Sequence, residues 1–321
     1  MRSFLNNPSD SVFMKRGVLF VLLLLILAGC TRTGTREPVE NWRTGSQGVY
    51  AQVLPNLPPP RIYDDQDLEV VVDLENRGAY TVGNAGDAIY LSGFDPNIIT
   101  NIPTTGIQMP QMEGKTAFGP GGIGTVSFKG ATRALGFRDI DKYSPRLLVT
   151  SCYGYKTVAS DSVCIDPDPF TSARTEKVCT PSSVSMGGSQ GAPVSVGPVV
   201  VEPSPGRTRF QITVSNVGGG DIIRPGATNL QKCSPYHPDG LQYTDTDYVL
   251  VEDVSISGVS ILPSCKPLDS GMLRLTNGRG VIYCELGNLA GSSAYTTPLS
   301  VQLSYGYKQT LLRDVTILRV S

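Results

Sequence analysis

At 321 residues the chain is long enough for two ordinary domains with cores of their own. Charged residues make up only 17%, and a net charge of −1 leaves no basic field to hold a nucleic-acid backbone. The 35 glycines and 24 prolines favour many turns and short strands over long helices.

The N-terminus reads as an export signal over residues 1–29. Met14-Lys15-Arg16 is a short basic start, and residues 1–13 before it are polar, so Met14 is a candidate initiator. Val18 to Leu27 is aliphatic, short for a permanent bilayer span, and ends in small residues. Leu27-Ala28-Gly29-Cys30 resembles the lipobox of prokaryotic lipoproteins. That resemblance implies cleavage before Cys30 and a lipid on its thiol, holding the protein to the outer face of a membrane or cell envelope. Residues 30–44, which contain the only tryptophan, Trp42, read as a polar tether.

Two β-rich domains are expected after the tether, over 45–166 and 188–321, joined by a connector, 167–187. Each opens on the same four residues, Gly45-Ser46-Gln47-Gly48 and Gly188-Ser189-Gln190-Gly191, followed by short apolar strands, Val49 to Leu54 and Val194 to Val201. Each continues with an alternating strand, Leu68 to Leu74 and Phe210 to Ser215, that ends in Asn76-Arg77-Gly78 or Asn216-Val217-Gly218. The third recurrence is Tyr153-Gly154-Tyr155-Lys156 against Tyr305-Gly306-Tyr307-Lys308. Three matched landmarks in one order argue for an internal duplication. Further strands are expected at Asp87 to Phe94, Thr125 to Phe128, Tyr248 to Ile256 and Val259 to Leu262. Met272 to Thr276 and Val281 to Glu285 flank the hairpin dipeptide Asn277-Gly278. No stretch after the signal has convincing helical periodicity.

Each Tyr-Gly-Tyr-Lys run is expected to enter a hairpin, the first turning near Val158. Cys152 and Cys164 of the first run align with Ser304 and Thr316 of the second, so both cysteines are present in one half and absent from the other. A disulfide across the expected hairpin would explain this. Setting Cys30 aside for lipid leaves an even number of the 7 cysteines, as an exported protein permits. For the remainder the expectation is Cys265–Cys284 and Cys179–Cys233. Zinc is disfavoured, because no Cys-x-x-Cys spacing occurs and His237 is the only histidine.

About seven short strands per half point to tandem immunoglobulin-like β-sandwiches in an all-β protein. The strand ending in Asn-x-Gly resembles the CARDB-type adhesion modules of archaeal and bacterial surface proteins. The wider set, including Leu91 to Pro96, the Tyr-Gly-Tyr-Lys runs and Val163 to Pro167, resembles surface lipoproteins of uncharacterised function from small-genome archaea. Those resemblances imply a location and a fold, and no activity.

Chemistry finds little purchase. His237 lies between prolines in a loop, and no nucleophile elbow or phosphate-binding loop occurs. No catalytic residue and no cofactor are nominated. Asp166 and Asp168 are a calcium candidate, since clustered oxygens suit that ion, although Asp-Pro-Asp-Pro is equally a turn former. Tyr153, Tyr155, Tyr305 and Tyr307 fall in same-face pairs that either pack inside the sandwich or form a stripe for a sugar or partner. Repetition in both halves favours packing. A long excursion, residues 97–123, carries Met109, Met112 and Phe118 and is the other interaction candidate. The resulting expectation is a non-enzymatic surface lipoprotein with a structural, adhesion or partner-binding role. The alternative is a glycan- or solute-binding accessory of an envelope transporter or hydrolase, which requires an aromatic-lined pocket between the halves.

Overall fold

Period-two alternation becomes strand almost everywhere it occurs in this chain. The computed structural model describes residues 42–171, 177–291 and 293–320. The export signal, Cys30 and most of the tether lie outside the described residues. The first half contributes β1 (Val49–Val53), β2 (Arg61–Tyr63), β3 (Asp67–Asn76), β4 (Ala88–Ser92), β5 (Ile99–Thr100), β6 (Ile107–Gln108), β7 (Ile123–Thr132), β8 (Lys142–Tyr143) and β9 (Arg146–Ile165). The second contributes β10 (Val194–Ser204), β11 (Arg207–Asn216), β12 (Asp221–Ile223), β13 (Tyr248–Ile256), β14 (Val259–Ser260), β15 (Met272–Arg274), β16 (Arg279–Leu286), β17 (Tyr295–Asp314) and β18 (Thr316–Leu318). Among the described residues helix is confined to the single turn Ala227–Gln231 and two short 3₁₀ segments, Leu135–Arg138 and Leu262–Ser264.

The long sheet is the spine of the fold, with strand order β14-β13-β17-β9-β4-β6 and with β12 beside β17 and β15 beside β13. Over it lie two smaller sheets, β1-β3-β7-β5 from the first half and β10-β11-β16 from the second. In β3 the inward Leu68, Val70, Val72 and Leu74 are buried, as are Thr208, Phe210, Ile212 and Val214 in β11. The architecture is therefore an all-β sandwich, and one buried apolar cluster runs through both halves. Asn277 and Gly278 both have positive φ, 52° and 73°, as a two-residue hairpin turn requires.

The expected hairpin at Val158 does not form, and this corrects the first disulfide. β9 runs unbroken for 20 residues, and so does β17; the two pair antiparallel along their whole length. Alternation simply continues through the presumed turn: Thr157, Ala159 and Val163 are buried, while Ser160 and Ser162 are exposed. Gly154 faces Gly306, its own counterpart in the repeat, with Tyr153 opposite Tyr307 and Tyr155 opposite Tyr305. A pseudo-twofold axis thus passes between the two glycines. Each long strand begins in its own half and ends as a strand of the other half's sheet, so residue 166 closes a strand that already belongs to both.

Cys152 and Cys164, twelve positions apart on one extended strand, are separated by about 40 Å and cannot bond. Cys152 is joined instead to Cys233, and Cys164 to Cys179, while Cys265 is joined to Cys284. The expected Cys179–Cys233 pair is corrected with it. The two cysteines vanish together from the second half for a different reason. Their partners sit in segments that occur once, the connector and a crossing loop over residues 224–247.

Candidate functional site

The recurring sequence landmarks converge on one buried node. Rings of Tyr153, Tyr155, Tyr305 and Tyr307 pack together, with centroids 5.9 to 6.4 Å apart. Each hydroxyl holds backbone of an outer-sheet strand or of the turn that follows one. Tyr153 Oη accepts from Val49 N–H at 3.1 Å, and Tyr305 Oη accepts from the equivalent Val194 N–H at 3.2 Å. Tyr155 Oη accepts from Tyr80 N–H at 3.2 Å and reaches Asn76 Oδ1 at 3.5 Å. Tyr307 Oη accepts from Gly220 N–H at 2.7 Å and donates to Asn216 Oδ1 at 3.1 Å.

The Asn-x-Gly sequence serves that node. Asn76 Nδ2 donates to Tyr80 O and Asn216 Nδ2 to Gly220 O, each at 2.7 Å. A Cβ on Gly78 or Gly218 would overlap the Tyr155 or Tyr307 hydroxyl. The glycines are needed for space, not for a left-handed φ. The halves also touch directly: Ala79 N–H donates to Gly191 O at 2.7 Å, and Ala192 N–H to Gly45 O at 3.2 Å. Burial disfavours the phenolates, so all four tyrosines are pushed above the ordinary phenol range, Tyr307 to about 12. At 0 to 2% exposure, none of the four belongs to a solvent-facing binding stripe.

Met109 and Met112 are corrected in the same way. Both are 1% exposed and belong to the buried apolar cluster. Met112 bridges Val82 through paired backbone bonds, and its carbonyl accepts from Asn76 Nδ2 at 3.1 Å. Only Phe118 of that trio faces solvent.

The carboxylate pair proposed for calcium is engaged otherwise. Asp166, 3% exposed, is ion-paired with the Lys177 ammonium, which also donates to the Asp168 carbonyl. An ammonium therefore fills the place of a cation. Among the described residues no group of three or more His, Cys, Asp or Glu side chains stands within metal-binding reach. His237 sits in the crossing loop, its Nδ1 accepting from Asp239 N–H at 3.2 Å.

Several side chains at the junction of the halves had only weak sequence signals. The lysines ending the Tyr-Gly-Tyr-Lys runs each find an acid: Lys156 pairs with Glu252 at 2.9 Å and Lys308 with Asp221 at 3.7 Å. Asp87 caps backbone N–H groups of Gly83, Asn84 and Gly154 at 2.8 to 2.9 Å. Burial nonetheless pushes its carboxyl above the ordinary range. The crossing loop binds the first half through Cys233 and through Tyr236 Oη, which donates to Leu91 O at 2.6 Å. Its Leu230, with Ile223 of β12, packs on Ala88 and Tyr90.

On the face of the spine away from the tyrosine rings, a cavity of about 200 Å³ sits on the pseudo-twofold axis. Gly154 and Gly306 form its floor, and Asp87, Lys156, Leu230 and Ser304 its walls. It falls below the roughly 300–1,000 Å³ of most small-molecule sites. A recess of about 300 Å³ is lined by Trp42, Arg43, Val158, Ser160, Met186 and Gln190, and two larger ones lie on the outer sheets. One, of about 500 Å³, is lined by Tyr50, Gln52, Asp73, Arg77, Ile123 and Thr125. The other, of about 640 Å³, is lined by Arg209, Pro263, Lys266, Tyr283 and Glu285. In the first of these two the Arg77 guanidinium lies 3.5 Å from the centroid of the Tyr50 ring, covering a face that a sugar would use.

Comparison with protein-family models gives no match, and comparison with curated proteins gives none. Three disulfides point to folding in an oxidising, extracellular environment. No helix among the described residues is long and apolar enough to cross a membrane.

Proposed function

We propose that this chain is a cell-surface lipoprotein, anchored through Cys30 to the outer face of a membrane or envelope. There it acts without catalysis, as a rigid module for adhesion or partner binding. The observation that carries the reading is the cysteine inventory. Of 7 cysteines, the six in the described residues are paired in three disulfides, which leaves Cys30 as the one thiol free for another role. Its position after Leu27-Ala28-Gly29 supplies that role. Rigidity follows from the two continuous strands and from the Cys152–Cys233 bond, which resist hinging between the halves.

The solute-binding alternative is less well supported, because the axial cavity is small and the larger recesses are open and charged. The anchor is tested by the intact mass of membrane-extracted protein before and after reduction with alkylation. A lipid adduct on a chain beginning at Cys30, with six further thiols appearing only on reduction, is the expected result. An unmodified Cys30, or membrane retention of a Cys30→Ser variant, would overturn the anchoring role.

A further inference from the structure

The outer sheets reverse their charges between the halves. Aligned on Asn76 and Asn216, Asp67 and Glu69 of β3 stand where Arg207 and Arg209 stand in β11. Their cross-strand neighbours reverse with them: Glu69 faces Lys129 of β7, whereas Arg209 faces Glu285 of β16. Across β1, β3 and β7 the face carries Asp67, Glu69, Asp73 and Glu75 against Lys129 and Arg77, the last paired with Glu75 at 2.7 Å. Across β10, β11 and β16 it carries Arg207, Arg209 and Arg279 against Glu202 and Glu285. These side chains alternate with core residues and so point outward. A merely solvated pair of faces has no need of opposite signs at equivalent positions.

Both faces look away from the same side of the spine, because the clustered tyrosine rings hold Val49 of the first outer sheet and Val194 of the second. We propose that they form one self-complementary interface for a second molecule of this chain. Turned by a twofold rotation, each molecule sets its acidic face on the other's basic face, satisfying both contacts at once and closing the assembly at a dimer. A three-stranded face of ten-residue strands spans about 15 by 30 Å. Two such faces offer roughly 900 Å² per molecule, close to the roughly 800 Å² per partner of a standard interface. Ile123, 81% exposed, and Tyr283, 44% exposed, supply apolar contact within the two faces. The charges set orientation and encounter rate more than raw affinity. None of this depends on the lipid.

The test is a charge exchange in the full-length chain, extracted in detergent and sized by light scattering. Wild type is expected to dimerise, and more weakly as salt is added. Asp67→Arg/Glu69→Arg makes both faces basic, and Arg207→Glu/Arg209→Glu makes both acidic. Each variant alone should dissociate, with Kd raised at least tenfold, and an equimolar mixture should recover a heterodimer. Unchanged circular dichroism, and the milder Asp67→Asn/Glu69→Gln pair, separate lost association from lost folding. A wild type monomeric at every concentration, variants that dimerise as well as wild type, or a mixture that stays monomeric would each overturn the proposal. So would open-ended oligomers, which the closed twofold arrangement forbids.

Discussion

The two halves of this protein share an interior and differ at their surfaces. In the first, Tyr155, Asn76 and Gly78 close one corner; in the second, Tyr307, Asn216 and Gly218 close its counterpart with the same bonds. The outer sheets meanwhile exchange the signs of their charges, and only the second half sends a crossing loop over the first. What is held fixed is therefore the set of groups around the pseudo-twofold axis, where each half has the other as its packing partner. A change there must be accommodated by both halves; a change on an outer face meets only solvent or another molecule.

Alkaline titration should give the largest effect and expose the difference inside the shared node. All four buried phenols have folded pKa values raised above the unfolded value near 10. The sign follows: stability held by the protonated phenols is whole below about pH 10 and is lost as pH rises through their folded values. Of the 14 tyrosines, these four should ionise only as the fold is lost. Phenolate absorbance read beside far-ultraviolet circular dichroism would show it. Tyr307, pushed only to about 12, should ionise first, so the second half's corner opens before the first. Tyr307→Phe removes the acceptor of Gly220 N–H and should speed exchange there at every pH, whereas Tyr155→Phe should leave exchange at Gly220 unchanged. Ionisation of all fourteen with native dichroism retained would contradict the buried node.

The disulfides separate the halves next. The bond between Cys152 and Cys233 spans 81 residues and joins the two, whereas Cys164–Cys179 spans 15 and only fastens the connector. Chain-entropy arguments give about 4.5 kcal/mol for the first and about 3 kcal/mol for the second. The double variant Cys152→Ala/Cys233→Ala should lower the denaturant midpoint more than Cys164→Ala/Cys179→Ala. It should also speed hydrogen exchange on β4, where Tyr236 is bonded to Leu91. Equal losses, or unchanged exchange on β4, would mean that noncovalent contacts alone hold the crossing loop.

How far these features could be read from residues alone depends on the range of the interaction. Alternation in Leu68 to Leu74 and Phe210 to Ser215 is local, and the strands fall where it predicts. Asn277-Gly278 is local too, and turns as expected. The expectation of a turn at Val158 fails because Thr157 to Asp161 contains turn-tolerant Ser and Asp, and an isolated strand has no visible reason to continue. That reason is β17, some 150 residues away, which supplies a pairing partner along the whole length. The joint loss of two cysteines likewise signals shared circumstance, and bonding to each other is only one form of it. The charge reversal between Asp67/Glu69 and Arg207/Arg209 is visible in the sequence, but it acquires meaning only when both faces are found on one side of the spine.

The glycines on the axis offer the smallest and sharpest comparison. Gly154 and Gly306 are counterparts that face each other, yet the crossing loop covers them unequally. A Cβ on Gly154 would meet nothing nearer than Leu230 Cδ1 at 3.8 Å and Asp87 Oδ1 at 3.9 Å, ordinary contact distances. On Gly306 it would press on Ile223 Cβ and Leu230 Cδ2, both at 3.0 Å. Ile223 Cβ belongs to a buried β-branched residue paired in β12, so it can yield only by moving backbone. Alanine also relieves the roughly 0.5–1 kcal/mol that glycine costs within a strand. Gly154→Ala should then be neutral or stabilising by a few tenths of a kcal/mol, while Gly306→Ala should cost about 1 kcal/mol from overpacking. Thermal denaturation of the two variants decides it. Equal effects would mean that the loop adjusts freely over the axis; the unequal outcome would show that the second half's insertion, tightly seated on its own strand, is what breaks the symmetry of the duplicated core.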